Sequence, residues 1–118
     1  MADATWDERI DRVTSHIEEN IGDIETAREA AEVIDVSYEA LRKRFRREIG
    51  MPIGQYIRQT RIDEAQRLLV ETDDPVYVVC LTVGYSSDSS GIRAFKKATG
   101  MTMEAYRKQY QDETQDGG

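Results

Sequence analysis

Apolar residues return every three or four positions along most of the chain. Trp6, Ile10, Val13, Ile17 and Ile21 keep that spacing, which predicts an amphipathic helix closed by Gly22 and Asp23. Thr26 to Glu29 has the T-x-x-E form of a capping box and predicts a second, short helix to about Val33, with Ala27, Ala30 and Ala31 leaving room for a close neighbour. Ile34 to Ser37 reads as a tight turn, and Ser37 as the cap of a third helix ending at Gly50. On that helix Tyr38, Leu41, Phe45 and Ile49 share one face, and Glu39, Arg42, Lys43 and Arg46 share another. Short helix, turn and capped helix is the layout of a helix-turn-helix.

Pro52 suits a first helical turn, and Ile53, Tyr56, Ile57, Ile62, Ala65, Leu68 and Leu69 form the inner stripe of a long helix to about Val70. Its roughly 17 residues would span about 25 Å. The segment ETDDP breaks it at residues 71–75. Val76 to Val83 is apolar and β-branched enough for a buried strand, but no other segment offers a partner strand, so it is assigned to a helix. A second basic helix is expected from about Asp88 to Ala98 and a final one from Met103 to Gln111. Residues 1–5 are expected to fray and residues 112–118 to form a disordered tail. The fold class is therefore all-α, with helix-turn-helix units at 6–50 and 72–111 joined by a linker helix over 51–71.

Charge sharpens this picture. The 118 residues carry a net charge of −7, which by itself argues against nucleic acid. The charge is not evenly spread. Residues 1–36 carry −8, residues 37–70 +4, residues 71–90 −4, residues 91–111 +4 and the remainder −3. The two basic islands occupy corresponding places in an internal repeat. FRREIGMPIGQY begins at Phe45, and FKKATGMTMEAY begins fifty residues later at Phe95. Carried backwards, the same offset pairs Ser37 with Ser87, Glu39 with Ser89, Lys43 with Arg93, Val36 with Ser86 and Leu41 with Gly91. The last pairing removes a core side chain, so the second basic helix is expected to be the weaker.

These residues resemble the DNA-binding domain of AraC/XylS-type transcriptional regulators over about residues 8–110. The first unit carries the likeness on Ala31, Ile34, Ser37, Leu41, Phe45, Gly50 and Tyr56, and the long helix on Arg61, Ile62, Ala65, Leu68 and Leu69. The second carries it on Pro75, Val79, Val83-Gly84-Tyr85-Ser86, Arg93, Phe95, Lys96, Gly100 and Tyr106. Asp35, Val78, Cys80, Gly91 and Met103 depart from the pattern. The resemblance implies two recognition helices entering successive major grooves of double-stranded DNA. One chain would then read an asymmetric site as a monomer. It also admits RNA polymerase as a partner.

On this reading Arg42, Lys43 and Arg93 are the base-edge candidates, and Glu39 an acceptor for a cytosine amino group or a repulsive filter. Arg46, Arg47, Lys96 and Lys97 are phosphate clamps. Ser37 and Ser87 are helix caps first and phosphate contacts second, and Ser89 lies on the outward stripe of the second helix. Arg61 is expected to be a structural ion-pair partner on the long helix and not a DNA contact. The competing reading is a helical protein-interaction module of the same fold without specific DNA binding.

A lone Cys80 and a lone His16 supply neither a metal set nor a nucleophile–base pair, so no cofactor, metal or enzymatic activity is expected. The absence of a long apolar run or signal pattern places the chain in the cytoplasm, away from membranes. The two units take up the 118 residues, so no effector-binding domain is expected within them.

Overall fold

The computed structural model describes residues 5–116, with side chains as far as Gln111. Among the described residues the helices are α1 (Trp6–Glu19), α2 (Arg28–Val33), α3 (Tyr38–Ile49), α4 (Ile53–Glu71), α5 (Val76–Thr82), α6 (Asp88–Thr99) and α7 (Met103–Asp116), with no strand. The apolar stretch at 76–82 is thus helical. Fraying at residues 1–4 lies outside the described residues, while Thr5 caps α1 by accepting from the Glu8 N–H at 3.1 Å. The expected tail is also corrected. α7 continues through Asp116, since Gln, Glu and Asp after Gln111 end the apolar stripe without breaking a helix, and residues 117–118 lie outside the described residues.

The chain divides into two compact units between Thr60 and Arg61. The long helix joins the two units and contributes one half to each. Ile53 and Ile57 belong to the core of the first unit, with Val13, Ile17, Leu41 and Phe45. Ile62, Ala65, Leu68 and Leu69 belong to the core of the second, with Val79, Val83, Phe95 and Met103.

The units repeat one another in detail. Phe45 sits edge-on to Tyr56 at 5.3 Å between ring centroids, and Phe95 edge-on to Tyr106 at 5.4 Å. Ring pairs of this geometry add about 0.5–1.5 kcal/mol to the burial of the rings. Arg12 of α1 donates to the Val33 carbonyl at 3.1 Å, and Arg61 of α4 to the Val83 carbonyl at 2.8 Å. Each guanidinium thus satisfies a carbonyl at the end of the helix before the turn. Arg61 is half-buried, and desolvation lowers its pKa from the ordinary arginine value. The backbone contact gives it a structural role.

The fifty-residue register holds from the N-caps onward but slips in the turns. Asp35, with φ 55°, stands two residues before the Ser37 cap, whereas Gly84, with φ 101°, stands three before the Ser87 cap. The second turn is one residue longer, so Val36 corresponds to Tyr85 and not to Ser86. Both close alike: the Val36 N–H bonds the Ala31 carbonyl at 3.2 Å, and the Tyr85 N–H the Cys80 carbonyl at 3.0 Å.

The turn register makes Cys80 the counterpart of Ala31, which explains Gly91. A Cβ on Gly91 would lie 2.7 Å from the Cys80 Sγ and 3.0 Å from both the Cys80 Cβ and a Tyr85 ring carbon. Small Ala31 with large Leu41 has become larger Cys80 with Gly91. The close approach of α5 replaces the missing side chain, and the expectation of simple weakening leaves out this compensation.

Two stability outcomes follow. Gly91→Ala lowers stability despite its better helix propensity, because overpacking costs about 1–3 kcal/mol against a propensity gain of about 1 kcal/mol. Adding Cys80→Ala restores part of the loss, and urea unfolding of the four members of the cycle reads the coupling. A double variant no more stable than Gly91→Ala would refute the exchange. Asp35→Gly raises stability by up to about 1 kcal/mol, because the left-handed conformation strains an L side chain more than glycine's entropy costs. A lower urea midpoint for that variant would contradict this.

Candidate nucleic-acid interface

α3 and α6 begin and end the same way. The Ser37 hydroxyl accepts from the Ala40 N–H at 3.1 Å, and the Ser87 hydroxyl from the Ser90 N–H at 3.2 Å. Gly50 and Gly100 close the helices in the left-handed conformation, at φ 90° and 78°, and donate to the Arg46 and Lys96 carbonyls. Both serines therefore serve as caps. Caps at both ends fix the length of each helix and hence the row of side chains it shows to solvent.

Leu41 and Phe45 anchor the inner face of α3, and Gly91 and Phe95 that of α6. Ser37, Glu39, Arg42, Lys43, Arg46, Arg47, Ser87, Ser89, Arg93, Lys96 and Lys97 are all exposed. Six of them gather on α3 and its cap, and five on α6 and its cap. Ile92 is half-buried on the same side as Ser89, Arg93 and Lys96, packed partly against its unit's core.

The cations of α3 are not equivalent. Arg44 turns back onto the unit: its guanidinium lies 5.5 Å from the Trp6 ring centre, and its Nε 3.1 Å from the Glu48 carboxylate. Arg42 donates from Nη2 to a Glu39 carboxylate oxygen at 2.6 Å, and the Lys43 ammonium lies 3.9 Å from the same oxygen. Hydrogen bonding from Arg42, with its charge, holds the Glu39 carboxyl below its ordinary pKa. Glu39 is thus an ionised acceptor between two of the three base-edge candidates.

Sequence reasoning located the start of α4 but missed its place beside the cations of α3. A groove of about 410 Å³ is lined by Tyr38, Arg42, Lys43, Arg46, Pro52, Ile53 and Gly54. Three cations and the positive end of a helix dipole therefore share one concavity. The sequence signal was the two-residue connection between Gly50 and the helix starting at Ile53, too short for α4 to begin far from the end of α3.

A short helix, a tight turn and a capped basic helix, twice over, define a protein with two helix-turn-helix units. A family model described as a helix-turn-helix domain matches residues 30–109. The DNA-binding domain of AdpA, a global transcriptional factor solved with a target DNA, is similar at TM-score 0.82 and 25% identity, covering 89% of this chain and 95% of that one. The C-terminal domain of AraT, a response regulator from Geobacillus stearothermophilus, is similar at TM-score 0.79 and 27% identity, covering 86% and 84%. The bifunctional transcriptional activator/DNA repair enzyme AdaA of Bacillus subtilis is 27% identical over 108 residues, 92% of this chain and 50% of that protein. An uncharacterized HTH-type transcriptional regulator of Staphylococcus aureus is 30% identical over 101 residues, 86% of this chain and 14% of that protein. The chain belongs to the AraC-type helix-turn-helix family, whose members are DNA-binding transcriptional regulators. It spans half or less of the length of these curated relatives.

The Glu39–Arg42 pair has a spectroscopic consequence. The carboxylate titrates below the usual glutamate range, so the pair is intact at neutral pH and is lost as pH falls through that depressed value. In Arg42→Ala the Glu39 midpoint moves back upward, followed by the side-chain carboxyl carbon in an NMR titration. An unchanged midpoint would show that Arg42 is not its partner in solution.

Proposed function

We propose that this chain is the DNA-binding portion of a transcriptional regulator, with α3 and α6 placed in successive major grooves of one duplex. The observation that carries the reading is the repetition of one device: a helix capped at both ends, anchored by phenylalanine and presenting cations outward. On this reading the exposed Arg42, Lys43 and Arg93 reach base edges, and the exposed Arg46, Arg47, Lys96 and Lys97 clamp phosphates. The groove at the start of α4 adds positive potential beside the α3 ridge. The likeness to AdpA's DNA-binding domain supports the same assignment.

The reading is non-enzymatic. Cys80 is fully buried, and burial first of all raises its thiol pKa, so no thiolate is offered to a substrate. A regulator of transcription works with RNA polymerase where the DNA lies, which makes the polymerase a partner and the cytoplasm the compartment under this reading. Among the described residues no helix is long and apolar enough to cross a membrane. One chain carries both recognition helices, so a monomer suffices for two half-sites.

The test is duplex binding across a salt series. Affinity falls steeply as salt rises, with a log–log slope near −0.9 per phosphate contact. Arg46→Ala and Lys96→Ala each weaken binding equally on cognate and scrambled duplexes and flatten the slope by about one contact. Arg42→Ala and Arg93→Ala cost about 1–3 kcal/mol on the cognate duplex and relax one base position each. Hydroxyl-radical footprints show two protections about one helical turn apart. Binding insensitive to salt, or none, would favour the protein-interaction reading that the overall acidity suggests.

A further inference from the structure

α3 and α6 keep one register from their N-caps, so their outward positions pair off across the units: Glu39 with Ser89, Arg42 with Ile92, and Lys43 with Arg93. Two of the three pairs differ in chemical kind. In the first unit an acceptor-only carboxylate is hydrogen-bonded to a donor-only guanidinium at 2.6 Å, and both are exposed. In the second unit the same places hold a hydroxyl that both donates and accepts, and a half-buried aliphatic side chain that does neither.

These differences translate directly into base edges. In the major groove a G·C pair shows two adjacent acceptors on guanine beside a donor amino group on cytosine. A guanidinium fork needs two adjacent acceptors, and only guanine has them on one base edge. A carboxylate needs a donor and is repelled by guanine O6 and N7 and thymine O4. The linked Glu39 and Arg42 groups therefore match a G·C pair in both signs. The internal bond also holds the guanidinium in place before DNA arrives, reducing the entropy lost on binding.

Ile92 has the opposite requirement. A base amino or carbonyl group pressed against it would be stripped of water without gaining a partner. The C5 methyl of thymine is the one apolar group a base offers in the major groove. Ser89 imposes no sign at the neighbouring position, and Arg93 retains a fork for guanine or a phosphate.

We propose that the two units read half-sites of different composition: Glu39 and Arg42 of α3 select a G·C pair, and Ile92 of α6 selects thymine through its methyl group. The inference rests on the DNA-binding reading above and assigns that reading's unknown, the operator. The target is asymmetric because two copies of one unit carry different exposed chemistry.

The experiment starts from the full 118-residue chain and a selection from randomised duplexes. Single modified bases are then placed in the selected site. Replacing thymine by deoxyuridine in the second half-site removes only a methyl group and weakens wild-type binding about 4-fold at one position. Replacing guanine by 7-deazaguanine in the first half-site removes one acceptor and weakens binding about 10-fold at one position. Arg42→Ala becomes indifferent to the 7-deazaguanine change, and Ile92→Ala to the deoxyuridine change. Because Ile92 also touches its own core, the deoxyuridine result with unaltered protein stands as a test without that variant.

Two half-sites of like composition would overturn the assignment. So would tight, salt-dependent binding untouched by either modified base. Modified-base losses that persist in full in the matching variants would overturn it too. Failure to bind any duplex would remove the DNA-binding reading itself and this assignment with it.

Discussion

Each recognition helix works only because its inner face is held by a ring against a ring. Phe45 and Phe95 are fully buried, and each meets a tyrosine of the following helix edge-on. Burying such a side chain is worth about 1.5–3 kcal/mol, and truncating it would leave a cavity at the point where the helices of its unit converge. The anchor also sets rotation. With Phe45 turned inward, Arg42, Lys43 and Arg46 have no direction but outward. With Phe95 turned inward, the same holds for Arg93 and Lys96. Function at the outer face is a consequence of packing at the inner one.

Around that anchor the two units solve one packing problem with different parts. Ala31 with Leu41 and Cys80 with Gly91 fill the contact between the short helix and the recognition helix, with volume moved from one side to the other. The turn of the second unit takes one more residue and uses glycine in the left-handed conformation, where the first uses Asp35. Conserved volume matters more to such a core than the identity of the residue that supplies it.

Electrostatics on the outer face are divided just as sharply. A net charge of −7 is compatible with nucleic-acid binding because half of the 16 cations are collected on two capped helices. Over distances beyond the Debye length of about 10 Å at 0.1 M, salt ions screen exposed charges from one another, so the local ridge outweighs the global sum. Glu39 tempers the positive charge of the first ridge by pairing with Arg42. A carboxylate at such a place would repel duplexes that offer it no donor.

Much of this was legible in the residues alone. The three- and four-residue apolar spacing located the first helix and the long one, the serine and glycine caps bounded α3 and α6, and the repeat from Phe45 and Phe95 exposed two copies of one unit. Those features are local or periodic, and local rules decide them. Other features depended on residues far apart in sequence. The fifty-residue offset could not show that the second turn is longer by one, because only the closing backbone bonds reveal which residue stands where. Gly91 reads as a defect unless Cys80 is seen against it, and only the packing shows that the two halves of the joining helix belong to two cores. The linear order determined the helices, their caps and their outward charges, because each depends on neighbours within a turn or two. Only the folded chain decided which volumes compensate each other and which cations are already paired, because those facts belong to distances between helices.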